Sequence, residues 1–478
     1  MKNDISPDFK TPHFMAILQQ YERAMDEGSR PYFESDDLLL LAEYYATIGK
    51  FEQGDKVVDY ALSLHPDNPD IQTFKCGNLM AQGQYEQAEK LLDLMTDPND
   101  REALLLRAQL MLNKSFPEEA ARIFDRLYRQ EQTLDTILDI VDVCLDTYSY
   151  DLAKEWLDVA YAEAPHHPDV LESMVDYLHS SGNDNQLPPF LNELIDLYPY
   201  ESRYWKNLAH AYMGMNELEK AHEAVDFALA IHDKDPMAYQ IKGAIYLLEN
   251  DTDHAIGAFK KAEANSNDKS VAWLALMQCY YYLKDYPNCE KYAELALTLP
   301  NLNDSEKANA YQKLADCFIK KGELKKAYDH LILSQQLDKE NYQLYLTWGE
   351  LMFRIEKREE ALFFLHNGLL LAKNTEFEVE ATETAAQICL MGDEWLQALE
   401  WFEEVDRKDS EYNQCNYLSM AYCCFQLNRE TQAVTYLQKA VSLSPASFDD
   451  LLYRQMASTD RKFYQLAESI RRHDGSGQ

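Results

Sequence analysis

Residues able to do chemistry are plentiful in this chain of 478 residues, yet they do not gather into a catalytic constellation. His166 and His167 are its one adjacent histidine pair, inside the turn Ala164-Pro165-His166-His167-Pro168-Asp169. Two neighbouring imidazoles need further ligands to hold a metal ion, and none stands near them in sequence, so the pair reads as a solvated loop. Asp135, Asp139 and Asp142 line one helical face, a pattern typical of a solvated acidic surface rather than of an acid–base pair. The sequence contains no Gly-rich phosphate loop, no His-Glu-x-x-His, no EF-hand loop and no nucleophile elbow. Its nine cysteines are odd in number and none stands in a Cys-x-x-Cys pair. Cys76, Cys144, Cys289, Cys389 and Cys424 fall at packing positions of helices, where cysteine acts as a small apolar side chain. The expectation is a chain with no catalytic residues, no metal ligands and no cofactor.

Charge narrows the partners. Lys and Arg number 45 against 82 Asp and Glu, a formal net charge of −37. Such a surface repels nucleic-acid phosphates and anionic lipid headgroups unless a strong local basic patch overcomes it, and the sequence offers none. Neither nucleic acid nor membrane is expected as a partner. With 15 Gly and 16 Pro, the chain is poor in the residues of long linkers and of turn-rich β folds. The opening Met1-Lys2-Asn3-Asp4-Ile5-Ser6-Pro7 lacks the apolar core of a secretory signal, and no apolar run approaches a membrane span. A cytoplasmic protein is expected.

The elements that position these residues are helices in a repeating unit, most regular from Trp205 to Pro236. Trp205, Leu208, Ala209 and Tyr212 fall at i, i+3, i+4 and i+7, one face of a helix, and Ala221, Val225 and Ala228 form a second stripe. Between them lies Gly214-Met215-Asn216-Glu217, read as a turn in which the glycine ends the first helix. Two helices this short cannot bury both stripes alone, so the unit must stack on its neighbours. Aligned on Ala221, equivalent units start at 35, 69, 101, 134, 168, 202, 236, 270, 308, 342, 379 and 414, with steps mostly of about 34 residues. The aligned small residue is Gly54, Ala88, Ala120, Ala153, Ala221, Ala255, Cys289, Ala327, Ala361, Ala398 and Ala433, broken only by Leu187. Ala42, Ala108, Ala209, Gly243, Ala315, Gly349, Ala386 and Ala421 fill a matching slot on the first helices, with Tyr45, Tyr212, Tyr246, Tyr280 and Phe318 three residues on. Small opposite large lets two helices approach without voids. Most aromatic residues take such slots; Tyr281 and Tyr422 do not.

With Trp205-x-x-Leu208-Ala209-x-x-Tyr212 and Ala221, and with Gly243, Tyr246, Ala255, Phe259 and Ala262, the chain resembles the tetratricopeptide repeat family over residues 35–447. The resemblance implies an all-α fold, a right-handed α-α superhelix of about twelve helix-turn-helix repeats with helical caps. Residues 1–34 would supply an N-terminal segment and a capping helix built on Phe14, Ile17, Leu18, Tyr21 and Met25. Residues 448–473 would supply capping helices, one on Phe448, Leu451, Leu452 and Met456 and another on Phe463, Leu466, Ala467 and Ile470. A disordered tail is expected at 474–478. Departures from the pattern are Lys75 at an apolar position and Pro188-Pro189 at the start of a second helix, which should therefore begin late. Bends are expected near 168–201, 298–306 and 373–380.

In this family the first helices line the inner wall, which implies that residues two, five, six, nine and twelve into each unit face a groove. Those positions give an acidic stretch, Asp135, Asp139, Asp142, Asp169, Glu172 and Asp176, then a basic and amide island, Arg203, Lys206, Asn207 and His210. An amphipathic stretch follows, with Gln240, Ile241, Leu247, Leu274, Gln278 and Tyr281, and then Gln312, Lys313 and Asp316. The island either fixes an acidic or carboxylate group of a peptide or pairs with its acidic neighbours. Some relatives clamp a C-terminal carboxylate with Lys and Asn side chains; Lys206 matches, but His210 and Ile241 stand where asparagines are required, which speaks against that activity. The expected function is a non-enzymatic protein-interaction scaffold that binds a protein or peptide in the groove through Arg203, Lys206, Asn207, His210, Gln240, Ile241, Leu274, Gln278, Tyr281 and Lys313. The alternative is a self-associating structural solenoid, a homo-oligomer with no dedicated peptide ligand.

Overall fold

The computed structural model describes residues 7–95, 100–443 and 461–474. Among them stand 26 α-helices and no strand, so the fold is all-α. Twelve helix pairs follow one another, their first helices beginning at Ser35, Pro69, Arg101, Leu134, Pro168, Ser202, Pro236, Ser270, Asp304, Tyr342, Glu378 and Tyr417. The small residue of every second helix but the fifth, where Leu187 stands instead, is buried, from Gly54 through Ala221 to Ala433, because a larger side chain there would hold the two helices apart. Gly243 and Gly349 show how tight the approach is. A Cβ at Gly243 would sit 2.7 Å from ring carbons of Phe259, and one at Gly349 would sit 2.4 Å from Leu365 Cδ2.

The turn inside each pair corrects the reading of Gly214. The helix Ser202–Gly214 runs through that glycine, and it is Asn216, with φ 58°, that takes the left-handed conformation and lets Glu217 N–H reach back to the Tyr212 carbonyl at 2.9 Å. A left-handed residue occupies the same place in all twelve pairs: Gly49, Gly83, Ser115, Tyr148, Gly182, Asn216, Asn250, Lys284, Gly322, Glu356, Asp393 and Asn428. Only four are glycine, which is why glycine was a poor guide to the turn.

Irregular units are absorbed locally. After a short 3-10 turn at Asp184–Gln186, the helix Pro188–Leu197 carries both prolines in its first turn, where a missing N–H costs nothing. The extra residues before the ninth pair lengthen its first helix, Asp304–Lys321, which opens on a capping box between Asn303 and Glu306. Lys75 remains at its apolar position by reaching Asp59 at 2.7 Å. Trp205 is half-buried, stacked on Phe227 with ring centroids 4.5 Å apart, and its indole N–H donates to the Pro199 carbonyl at 3.0 Å.

The contacts group the chain into two compact units, residues 1–232 and 233–478, each holding six of the helix pairs. In unit 1 the helix Pro12–Glu27 covers the first pair by burying Phe14, Ile17, Leu18 and Tyr21 against Leu38, Leu41 and Val57. In unit 2 the helix Arg461–Asp474 closes the last pair by burying Phe463, whose ring lies 5.0 Å from Tyr422 and 5.4 Å from Phe425. Tyr422, which stands outside the packing slots in sequence, is thereby a core residue. The expected cap on Phe448, Leu451, Leu452 and Met456 lies outside the described residues, as does the expected 474–478 tail apart from Asp474, which ends the helix Arg461–Asp474.

Candidate interaction surface

In unit 1, the first helices Leu134–Asp146, Pro168–Ser180 and Ser202–Gly214 carry the acidic stretch and the basic island. Arg203, Lys206, Asn207 and His210 share one face of the third of these. Arg203 is committed within the protein. Its Nη2 lies 2.5 Å from Glu172 Oε1 and donates to the Tyr204 hydroxyl at 2.7 Å, while that hydroxyl donates to the same Glu172 oxygen. The guanidinium also lies 4.6 Å from the Tyr204 ring centroid. Asp139 is likewise paired, with Arg101. Asp142 and Asp176 are open to solvent but crowded by surrounding protein. Loss of hydration raises both carboxyl pKa values, and nearby carboxylates raise them further: Asp139, Asp146 and Asp176 around Asp142, and Glu172 beside Asp176. Burial also lowers the pKa of His210, with His179 acting in the same direction. Asn207 is exposed and Lys206 half-buried.

In unit 2, the wall divides sharply. On the helix Pro236–Leu248, Gln240 is half-buried, but Ile241 is 2% exposed and belongs to the core, so it cannot touch a groove ligand as expected. On Ser270–Tyr282, the side chains of Leu274, Gln278 and Tyr281 are all half-buried. Among the described residues, the amides of Gln240 and Gln278 have no hydrogen-bond partner within the protein.

Lys313, on Asp304–Lys321, is the second correction: at 6% exposure it is buried, and its ammonium lies 4.2 Å from the centroid of the Tyr281 ring. It belongs to a polar cluster that closes this part of the wall. Asp316 is equally buried, and burial raises its carboxyl pKa against the pull of Lys313 and of a hydrogen bond with Thr347. The Tyr281 hydroxyl pKa is driven up, first by the charge of Asp316 and then by burial. Lys320 Nζ reaches Glu350 Oε1 at 2.6 Å, and Arg354 stands 3.4 Å from the same oxygen. Gln312 donates to the Thr347 hydroxyl at 3.3 Å, and Asn341 donates to Gln312 at 3.4 Å. Thr347 and Glu350, which complete the cluster from Tyr342–Arg354, were not among the sequence candidates. The register that picked Lys313 picks them too when carried one unit further.

The adjacent histidines are engaged. His166 meets Glu193, and His167 stands 3.8 Å from Asp169. Among the described residues no three His, Cys, Asp or Glu side chains are grouped to hold a metal ion, and no helix is long and apolar enough to cross a membrane. Eight of the nine cysteines are buried thiols, and Cys415 is exposed.

Comparison with known proteins gives these walls a context. Family models described as tetratricopeptide repeat match residues 49–110, 206–270 and 416–447. No curated protein matches the chain. Among solved structures, the chain is similar to the APC/C hetero-tetramer Cut9-Hcn1, at 15% identity over 96% of this chain and 94% of that one, with a TM-score of 0.44. It is similar to YrrB, a TPR protein with an unusual peptide-binding site, at 20% identity over 40% of this chain and 96% of that one, TM-score 0.33. The third is PilF of Pseudomonas aeruginosa, at 18% identity over 45% and 95% of the two chains, TM-score 0.39. The matched segments hold the same two-helix module, with its left-handed turn, that fills the intervals between them, and together they support a tetratricopeptide repeat protein.

Proposed function

We propose that the chain is a non-catalytic scaffold that holds a segment of a partner protein against the first helices of the seventh and eighth pairs. Tetratricopeptide arrays are typically interaction scaffolds without catalytic activity. One observation carries the finer reading. Gln240 and Gln278 stand on successive first helices, half-buried, each with an amide that finds no partner among the described residues, and the half-buried Leu247 and Leu274 stand on the same two helices. An amide side chain donates and accepts at once, which matches the alternating N–H and C=O groups of an extended backbone, while apolar neighbours take its side chains. Tyr281 adds a rigid aromatic edge to the same wall. Lys313 and Ile241 drop out as contacts because both are buried, and Arg203 drops out because Glu172 holds it.

A photo-crosslinking residue at Gln278 tests this in the native lysate, with one at Leu333 on the second helix Leu324–Leu337 as the control. Crosslinks to one polypeptide from position 278 but not from 333, weakened by Gln240→Ala, are expected. Equal crosslinking from both positions, or none from 278, overturns the reading.

Self-association is the second reading, and it has its own support. Phe363 and Leu370 lie at i and i+7 on Arg358–Ala372 and are 64% and 68% exposed, an apolar stripe that costs solvation energy unless covered. Sedimentation at rising concentration decides it: a dimer that Phe363→Ser with Leu370→Ser abolishes supports self-association, and a single monomer species at every concentration rejects it.

A further inference from the structure

The surface at the start of unit 1 holds an open pocket of about 420 Å³. One wall is the linker at residues 28–30, with Ser29 and Arg30; the other is a face of the helix Phe51–Leu64, with Lys56, Asp59, Tyr60 and Ser63 at i, i+3, i+4 and i+7. The linker is pinned rather than loose. Gly28, at φ 67°, ends the helix Pro12–Glu27, and Arg30 precedes a proline, which confines it to extended conformations. Beyond it, the Tyr60 hydroxyl donates to the Pro31 carbonyl and the His65 ring donates to the Phe33 carbonyl at 2.8 Å. The backbone that carries Arg30 is thus held beside the helix that carries Lys56.

The charge in this pocket is unusual for the molecule. In a chain of formal charge −37, Arg30 and Lys56 share one pocket and neither has an ion-pair or hydrogen-bond partner among the described residues. Asp59 is the carboxylate of the lining, and Lys75 neutralises it from 2.7 Å. Two exposed cations lining one pocket offer an anion a pair of positive charges. A guanidinium fork, an ammonium and hydroxyl donors are the groups that recognise a phosphate, whose charge of about −1.5 to −2 answers both cations at once. Ser63 spends its proton on the Tyr60 carbonyl at 2.7 Å, but Ser29 holds the Ala24 carbonyl at only 3.4 Å and can turn toward a ligand. The volume falls within the range of about 300–1,000 Å³ of small-ligand sites.

We propose that this pocket binds a phosphate monoester, borne either by a phosphorylated Ser or Thr of a partner segment or by a small molecule. The site stands apart from Gln240 and Gln278 in sequence and in its unit, so it holds or fails independently of the scaffold's wall.

Calorimetric titration of the full chain tests it with three probes: inorganic phosphate, free phosphoserine, and a phosphoserine peptide beside its unphosphorylated twin. Saturable binding of a phosphorylated probe is expected, weakened by salt and by about tenfold or more in Arg30→Ala with Lys56→Ala. A phosphopeptide that outbinds phosphoserine assigns the source to a partner segment, and equal affinity assigns it to a small monoester; either supports the site. Absence of saturable binding at millimolar probe, or binding undiminished in the double variant, overturns it. Circular dichroism checks the variant's fold, and Lys56→Gln alone, at an exposed helix position, gives the same readout should the double variant lose helicity.

Discussion

The Lys313 ammonium lies 4.2 Å from the centre of the Tyr281 ring, both side chains drawn from first helices of successive pairs. The contact replaces water around a buried cation with an aromatic face, while Asp316 supplies the opposite charge. A residue that by its register faces a ligand is here part of the joint between repeats. Lys313→Met, which keeps the stem and removes the charge, strands Asp316 and should cost about 3 kcal/mol. Tyr281→Phe keeps the ring and removes only the hydroxyl, whose pKa Asp316 raises, at about 1 kcal/mol. Hydrogen-exchange protection of the Asp304–Lys321 amides should fall in that order; equal losses would mean the ring, not the charge, holds the joint.

The carboxyls of Asp142 and Asp176 have folded pKa values raised above their ordinary ones. A raised carboxyl pKa means the fold prefers the protonated form, so the contribution to stability is complete below the ordinary carboxylate range and is lost as pH rises through the folded value. Asp142→Asn with Asp176→Asn should therefore be more stable than the parent at neutral pH, and the difference should vanish in acid. Thermal melts across that range, read as a difference between the two proteins, check it. A constant or inverted difference rejects the repulsion.

Lys284 and Glu356 hold the left-handed position of their turns at φ 59° and 62° with side chains that disfavour it. That conformation costs an ordinary residue about 1 kcal/mol or more and glycine nothing. Lys284→Gly and Glu356→Gly should each stabilise unit 2 by up to about 1 kcal/mol, offset in part by glycine's greater freedom when unfolded. Denaturant melts check the sign, and destabilisation by both would show that their side chains do more than occupy the turn.

Cys415 is the exposed cysteine, whereas burial drives the thiols of Cys76, Cys279 and Cys424 up to about 11 and those of Cys144 and Cys423 to about 12. A buried thiol with so high a pKa offers neither access nor thiolate. Alkylation of the native chain near neutral pH should modify Cys415 alone, and Cys415→Ser should abolish the fast phase. Mass spectrometry that finds rapid labelling at Cys144 or Cys423 would show that the helix pairs open.

The repeat itself was legible in the chain, because everything that makes one helix pair lies within about 34 residues: the apolar spacing, the small residue opposite a large one, the polar turn. Even there the turn was misassigned at Gly214, since the left-handed position accepts Asn, Lys or Glu when the hydrogen bonds around it are secure. Which wall side chains remain open was decided only by the tertiary structure. Arg203 meets a glutamate 31 residues earlier, and Lys320 meets Glu350 30 residues later, each one repeat away. Ile241 and Lys313 occupy groove positions by register yet are closed by their neighbours. The pocket lined by Arg30 and Lys56 exists because the linker after the capping helix folds back on the first pair. Register is a property of one helix and follows from its side-chain spacing; accessibility and pairing belong to the space between repeats, where the partner's size and charge are set by a different stretch of chain.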